Sequence, residues 1–394
     1  MIFFVSLSDK DFLDNAGDRI PLGLLSIASQ FDEKDVRFYD LNHFKQEDLI
    51  IAIEEMQPEA VAISVYTSGH YTQAIELSNK IRQISNTRLI AGGYHATFMP
   101  ESLTEYFNTV IQGYGENSIK TALHVDGIIN ESVDLDEIKN INWDLINLDD
   151  YGIEMDGKRT ATIITSRGCP YSCAFCGNFN RKVMYERMDY VLDNLSVLKD
   201  RGFEAVYFLD DVFTLDYERM AYILYNVGMP YRVTTRANLL DERKMRLLKD
   251  TGCEWLSIGI ESGSQEILDK SNKGEKIEQI QMAIISAKKN GIKVKGFFII
   301  GLPGETEETA RQTIDFSLKL KEQGLTSADF YALMPFPGTT IWENPEKYGI
   351  EILDRDYTKY LQVGKYKTKV YHRTKELSSE RIEQLIEEAR RLWK

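Results

Sequence analysis

Over residues 1–130, short apolar runs alternate with amphipathic stretches. The runs Ile2–Ser8, Val36–Asp40, Ala60–Tyr66, Thr87–Gly93 and Thr109–Gly113 predict strands. Between the third and fourth, Tyr71–Ile84 places Ala74, Leu77, Ser78 and Ile81 at the three/four spacing of a helix packed on a sheet. Five βα units with connections this short predict a parallel sheet with right-handed crossovers. That is a flavodoxin-like (Rossmann-type) α/β domain, and such sheets bind ligands at the carboxyl ends of their strands near the switch point.

Residues 131–159 are acidic and lack periodicity, which predicts a linker wrapped over a neighbouring surface. A second alternating series covers 160–341. Its strands are expected at Thr160–Thr165, Ala205–Asp210, Tyr231–Arg236, Trp255–Glu261, Val294–Gly301 and Asp329–Met334. Helical patterns lie between, among them Tyr190–Lys199, Glu242–Lys249, Ile277–Lys289 and Glu307–Lys321. Six βα units predict a partial (βα)6 barrel, two units short of a complete eightfold one. The tail 342–394 is charged and Tyr-rich and ends in a helix, Ser379–Trp393. Its stripe of Ile382, Leu385, Ile386, Ala389 and Trp393 is expected to pack on the barrel, a partner helix being the alternative.

Composition narrows this picture. The chain has 394 residues, 43% hydrophobic and 27% charged, ordinary values for a globular protein with ample core. A net charge of −14 argues against sequence-independent nucleic-acid binding, which needs a basic footprint. No apolar run reaches the roughly 20 residues of a membrane helix. The N-terminal MIFFVSLSDKDFLDN lacks a basic region and a cleavage site, so it reads as a strand rather than a signal peptide. Three of the four cysteines cluster, which suggests metal chemistry in a reducing, cytoplasmic setting.

That cluster is T165-S-R-G-C-P-Y-S-C-A-F-C-G-N178, with Cys169, Cys173 and Cys176 in CxxxCxxC spacing. A structural zinc site wants four ligands, but the only other cysteine is Cys253 and no His lies between His124 and His372. A thioredoxin-type CxxC leaves one cysteine idle. Three thiolates from one loop can hold three irons of a [4Fe–4S] cubane and leave the fourth open to a substrate. Cys253 reads as a small buried hydrophobe.

The loop, including Phe175 just before the third cysteine, resembles the cluster-binding loop of radical S-adenosylmethionine (SAM) enzymes. The resemblance implies that the open iron chelates the amino and carboxylate groups of SAM. An electron from the cluster, supplied by a flavodoxin- or ferredoxin-type donor, then cleaves SAM to a 5′-deoxyadenosyl radical. Later strand ends can be read in the same frame. Asp210 and Asp211 in FLDDVF are either carboxylates favoured at a helix N-terminus or contacts to SAM or substrate. Arg236 in TTRAN holds a carboxylate bidentately or makes a structural ion pair. In IGIES the resemblance suggests a ribose contact for Glu261, with Ser262 beside it. The strand from Gly296 through Ile299 to Gly301 resembles the family's adenine-contacting GxIxG strand, its glycines admitting close backbone approach.

The N-terminal segments PLGLL (21–25), AISVY (62–66), AGGYHATF (91–98) and GYGE (113–116) resemble the cobalamin-binding domain that precedes the barrel in one large subclass. This implies cofactor contacts from Ser64, Tyr66, Gly92, Gly93, His95, Gly113, Gly115 and Glu116. The alternative for the glycines is turn chemistry. The DxHxxG motif that supplies a lower cobalt ligand is absent, since Asp40-L-N-His43 has the wrong spacing.

The function so implied is a cobalamin-dependent radical SAM methyltransferase, in which methyl transfer reaches an unactivated carbon of a small molecule. A radical SAM cyclase or oxidoreductase without methyl transfer is the second reading, with cobalamin used differently or lost. A non-catalytic iron–sulfur or cobalamin sensor is the third; the set of strand-end SAM motifs speaks against it. A methylthiotransferase fits poorly, because no cysteine precedes Cys169 to hold a second cluster.

Overall fold

In the computed structural model, which describes residues 1–10, 17–360 and 369–394, the first sheet is parallel throughout. Its strands are β1 (Ile2–Ser6), β2 (Val36–Asp40), β3 (Ala60–Ser64), β4 (Arg88–Gly92), β5 (Thr109–Ile111) and β6 (Gly127–Ile129). Their order is β2-β1-β3-β4-β5-β6. The strand order reverses between β1 and β3, which creates the crevice where such sheets take their ligands. The inner strands β1 and β3 read IFFVS and AVAIS because both their faces are covered by helices. Phe3, Val5, Ile63, Leu77 and Ile81 meet in the resulting core.

The sixth strand was not expected. It is three residues long, lies at the sheet edge and carries no buried residue, so it leaves no apolar run to read.

The stretch expected as a linker divides in two. Residues up to Ile153 belong to the first unit, and the second unit starts at Glu154. In the first part, the Asn142 N–H donates to Ser29 Oγ (2.9 Å) and the Lys139 N–H to Gln30 Oε1 (3.1 Å). Tyr151 donates its hydroxyl proton to buried Asp40 (3.0 Å), and burial beside that carboxylate pushes the Tyr151 pKa up. The surface it wraps is therefore that of its own domain. The turn Tyr357–Lys359 also belongs to this unit, with the Tyr357 ring 5.1 Å from that of His95 and 5.8 Å from that of Tyr71.

The main sheet of the second unit holds all six expected strands plus one. They are β7 (Ile153–Met155), β8 (Lys158–Ile163), β11 (Ala205–Phe208), β12 (Tyr231–Thr235), β13 (Cys253–Glu261), β14 (Lys293–Ile300) and β15 (Ser327–Ala332), in the sheet order β15-β14-β13-β12-β11-β8-β7. The added strand β7 joins β8 through Asp156–Gly157, both at positive φ, as a two-residue type I′ turn requires. Between β8 and β11 the short strands β9 (Ser166–Arg167) and β10 (Met184–Tyr185) pair antiparallel and close off the cysteine loop at its base.

One face of this sheet is apolar and lies under helices, with Val206, Val233, Leu256 and Phe298 among its buried residues. The other face carries polar side chains. Tyr207 and Thr234 share a hydrogen bond across it (3.1 Å), and Arg232 donates to Ser257 Oγ (2.6 Å).

The C-terminal helix Ser379–Leu392 buries Ile382, Leu385, Ile386 and Ala389. It is tied to its own unit by Arg390 to the Phe330 carbonyl (2.6 Å) and Trp393 Nε1 to Ser317 Oγ (2.9 Å). Its stripe is therefore a packing face. Among the described residues no helix is long and apolar enough to cross a membrane.

Candidate active site

The cysteine loop leaves the end of β8 and is held by its backbone. The Cys169 N–H donates to the Asn180 carbonyl (3.0 Å), the Ala174 N–H to Ser271 (2.9 Å) and the Cys176 N–H to Cys173 (3.1 Å). Gly168 sits at φ +93°, and a Cβ there would lie 2.5 Å from the Lys182 carbonyl oxygen, so the loop's return strand needs that glycine. Phe175 packs beside Ala174, Leu302, Leu333 and Ile341, in the same apolar cluster as Ile299 of β14.

All three thiols are free, and burial pushes Cys169 and Cys176 up, with Cys173 adding to the effect on both and Cys169 to that on Cys176. They are thus electrostatic neighbours. Yet among the described residues no group of three or more His, Cys, Asp or Glu side chains converges as ligands of a single metal ion. A zinc ion would draw its thiolates to about 2.3 Å from one point. A cubane gives each thiolate its own iron at a separate corner. Three free thiols on one loop are the donor set that a cubane takes. Cys253 lies apart at the start of β13, buried, with its thiol directed at the Trp255 carbonyl oxygen.

The paired aspartates act on this loop. Asp210 accepts from the N–H groups of Thr165 (2.5 Å) and Ser166 (3.0 Å) and from Thr165 Oγ1 (2.6 Å). Asp211 accepts from the Gly168 N–H (3.0 Å). Burial pushes Asp210 up to about 6 against those donors, and pushes Asp211 up as well. Two backbone N–H groups and the Thr165 hydroxyl on Asp210, with a third N–H on Asp211, tie the pair to the segment that leads to Cys169.

Arg236 does make a structural ion pair. Its guanidinium lies 3.7 Å from Glu275 Oε2 and 3.5 Å from Cys173 Sγ. Glu261 accepts from Lys273 Nζ (3.0 Å), which also lies 3.3 Å from Glu275. Lys273 and Glu275 were missed, although S271-N-K-G-E275 sets a cation and an anion around a glycine just past a short helix.

The remaining expected SAM residues stand as follows. Ser262 is fully buried and bonded to Thr313 Oγ1 (3.0 Å), pinning the turn after β13. Gly296 and Gly301 make room for protein. A Cβ on Gly296 would meet Ile260 at 2.7 Å, and one on Gly301 would meet His372 at 2.6 Å. The close approach expected of a ligand at those two glycines is taken by side chains.

His372 and Glu305, also missed, complete this corner. His372 Nε2 lies 2.9 Å from the Gly301 carbonyl oxygen, and burial pushes its pKa down to about 4. Glu305 accepts from the Gly301 and Leu302 N–H groups, has no partner at Oε1 among the described residues, and is pushed by burial up to about 8. Its ordinary value is 4.5, so the folded protein keeps a proton that the unfolded chain releases between pH 4.5 and about 8. Stability from this group therefore falls as pH rises through that window and levels off above it. Glu305→Gln removes the titration. The variant's melting temperature is expected to gain on the wild type steadily from pH 5 to 8; a constant difference would contradict the assignment.

In the first unit, the expected residues line the carboxyl edge unevenly. Among the described residues, a Cβ on Gly92 would meet only Ile111 at 3.9 Å, and one on Gly113 only Asn130 at 3.4 Å. Gly93 and Gly115 are filled from within, by the Val65 carbonyl (2.7 Å) and Ile27 (2.4 Å). Ser64 is half-buried at the end of β3. Tyr66 and Tyr94 are exposed and meet edge to face at 5.5 Å. His95 and Glu116 point inward. His95 engages Ser68 Oγ (3.2 Å) and Ser102 Oγ (3.1 Å) through its two ring nitrogens, and Glu116 accepts from Ser26 Oγ (2.9 Å). His95 is pushed down to about 4 by burial, so a charged edge contact is not its geometry here. Gly92 and Gly113 are thus the places where a planar macrocycle could lie on bare backbone.

Comparisons with known proteins agree with this layout. The B12 binding domain model matches residues 13–123 and the Radical SAM superfamily model matches 163–317. The chain is 30% identical over 408 residues to an uncharacterized methyltransferase of Pyrococcus horikoshii, covering 94% of this chain and 86% of that protein. It is 25% identical over 370 residues to the anaerobic magnesium-protoporphyrin IX monomethyl ester cyclase of Cereibacter sphaeroides, covering 83% of this chain and 59% of that one. Its fold is similar to that of a radical SAM methyltransferase of Kitasatospora setae solved with cobalamin and a [4Fe–4S] cluster, at TM-score 0.71 and 19% identity over 89% of this chain and 80% of that one. The chain belongs to the radical SAM superfamily, among the members that carry a B12-binding domain ahead of the barrel, and is an enzyme of a [4Fe–4S] cluster, SAM and cobalamin.

Proposed function

We propose that this enzyme transfers a methyl group from SAM to a carbon of a small molecule. The observation that carries the reading is similarity over nearly the whole chain, both domains included, to a protein named as a methyltransferase. When bound, the cluster supplies the electron that cleaves SAM, and the corrinoid supplies a carrier for the methyl group.

The chain's own residues have separable tasks. Cys169, Cys173 and Cys176 hold the cluster, and Asp210 and Asp211 fix the loop that presents it. Glu261 shares one oxygen with Lys273 and offers the other to the ribose hydroxyls of SAM, while Phe175 and Ile299 supply the apolar side of that site. Gly92, Gly113, Tyr66 and Tyr94 receive the corrinoid. Radical SAM enzymes need a reductant, and a flavodoxin- or ferredoxin-type protein is the donor in this reading.

The test uses anaerobically reconstituted holoenzyme, dithionite, a small-molecule extract and SAM deuterated in its methyl group. A product carrying the three deuteriums, formed with both S-adenosylhomocysteine and 5′-deoxyadenosine, supports the proposal. Sustained 5′-deoxyadenosine without S-adenosylhomocysteine sinks it. That outcome favours cyclase or oxidoreductase chemistry, the second reading, which rests on similarity to the cyclase.

A further inference from the structure

We infer that Arg236 sets the reduction potential of the cluster by donating a charged hydrogen bond to Cys173, one of its three thiolates. The inference rests on the assignment of the cluster to Cys169, Cys173 and Cys176.

The three sulfurs do not have equal surroundings. Cys169 and Cys176 take backbone N–H donors, from Tyr171 and Asn178. Cys173 instead faces a guanidinium, with Arg236 Nη1 at 3.5 Å. That side chain is fixed on every side. Its plane lies over the Tyr171 ring, 3.8 Å from the centroid. Nε donates to Asn238 Oδ1 (3.3 Å), Nη2 donates to the Lys273 carbonyl, and Glu275 stands 3.7 Å away. Arg236 and Glu275 are 5% and 0% exposed, so water does not screen the charge.

The network behind it is balanced before the cluster is counted. Arg236 and Lys273 are offset by Glu261 and Glu275, with Lys273 bridging the two carboxylates. A cluster adds negative charge, since three thiolates outweigh the two positive charges of the oxidised core. One further electron adds more. A cation in contact with a ligating sulfur favours that reduced state, and hydrogen bonds to the sulfurs are an established lever on cluster potential. Glu275 acts in the opposite sense, because it partly neutralises the guanidinium. The geometry therefore predicts shifts of opposite sign for Arg236 and Glu275. A purely structural role for either predicts lower cluster loading and no ordered shift.

The test is a mediated redox titration of the reconstituted protein without SAM. Dithionite is the reductant, and the one-electron reduced cluster is followed by electron paramagnetic resonance. For Arg236→Gln the midpoint should move negative. At a fixed potential the reduced-to-oxidised ratio should fall about tenfold, which is about 59 mV for one electron. Arg236→Lys, which keeps the charge without the planar fork, should lie between that variant and the wild type. Glu275→Gln should move the midpoint positive. A fully loaded Arg236→Gln protein with the wild-type midpoint overturns the inference. Should that variant take up no cluster, Glu275→Gln decides: a positive shift supports the role, and an unchanged midpoint removes it. A wild-type chain that binds no cluster would instead overturn the cluster assignment beneath it.

Discussion

Replacing any one of Cys169, Cys173 and Cys176 with alanine is expected to abolish both the cluster absorption of the reconstituted protein and the formation of 5′-deoxyadenosine from SAM. The loss is total because the donor set has no reserve. The only other cysteine is buried at the far end of β13, and the one histidine of the second unit, His372, is buried against Gly301. Burial pushes the Cys169 and Cys176 thiols up, so iron must displace their protons to bind them. Cys253→Ala is the control. It removes one buried sulfur, costing on the order of 1 kcal/mol of stability, and should leave cluster and SAM cleavage intact. Loss of the cluster in Cys253→Ala, or its retention in Cys169→Ala, would refute the ligand assignment.

The cysteines were legible in the sequence because ligand identity and spacing are local, and one loop carries all three. The strands were legible for a similar reason: apolar runs mark those buried on both faces, so β1 and β3 stood out while β6 and β7, short and at edges, did not. The contacts around the site were less legible. Asp210 and Asp211 follow a strand in any reading, but only the folded segment after β8 brings the N–H groups of Thr165, Ser166 and Gly168 to them. Arg236 and Cys173 are 63 positions apart, and nothing local in either segment announces the other. Gly301 is a related case. A glycine's missing side chain shows that something comes close, and here the approaching group is His372, 71 positions away. Sequence reports which residues are unusual; the partner that makes each one necessary is set by tertiary structure.

That distinction gives the second large effect, on corrinoid binding. Gly92 and Gly93 are adjacent at the exit of β4, yet they should respond to substitution in different ways. Gly93 has φ +101° and packs on the Val65 carbonyl, so a side chain there strains the backbone and damages the fold itself. Gly92 has an ordinary backbone conformation, and among the described residues nothing but Ile111 lies within 4 Å of its missing Cβ. A leucine at 92 is therefore accommodated by the protein and projects into the space proposed for the macrocycle. Gly92→Leu should melt close to the wild type but retain hydroxocobalamin at least about tenfold less well, equivalent to ~1.4 kcal/mol of excluded contact. The corrinoid that the wild type retains should lack a histidine beneath its cobalt. His43 is turned to the Gly17 carbonyl (3.0 Å) and the Tyr151 ring, His70 to Asp9 (3.0 Å), and His95 to its two serines. His124 lies before β6, away from the strand exits. The Co(II) electron paramagnetic resonance spectrum should then show no nitrogen hyperfine splitting from the protein. Undiminished corrinoid retention by Gly92→Leu would move the macrocycle off this edge, and a nitrogen splitting lost in His43→Ala would place that imidazole under the cobalt after all.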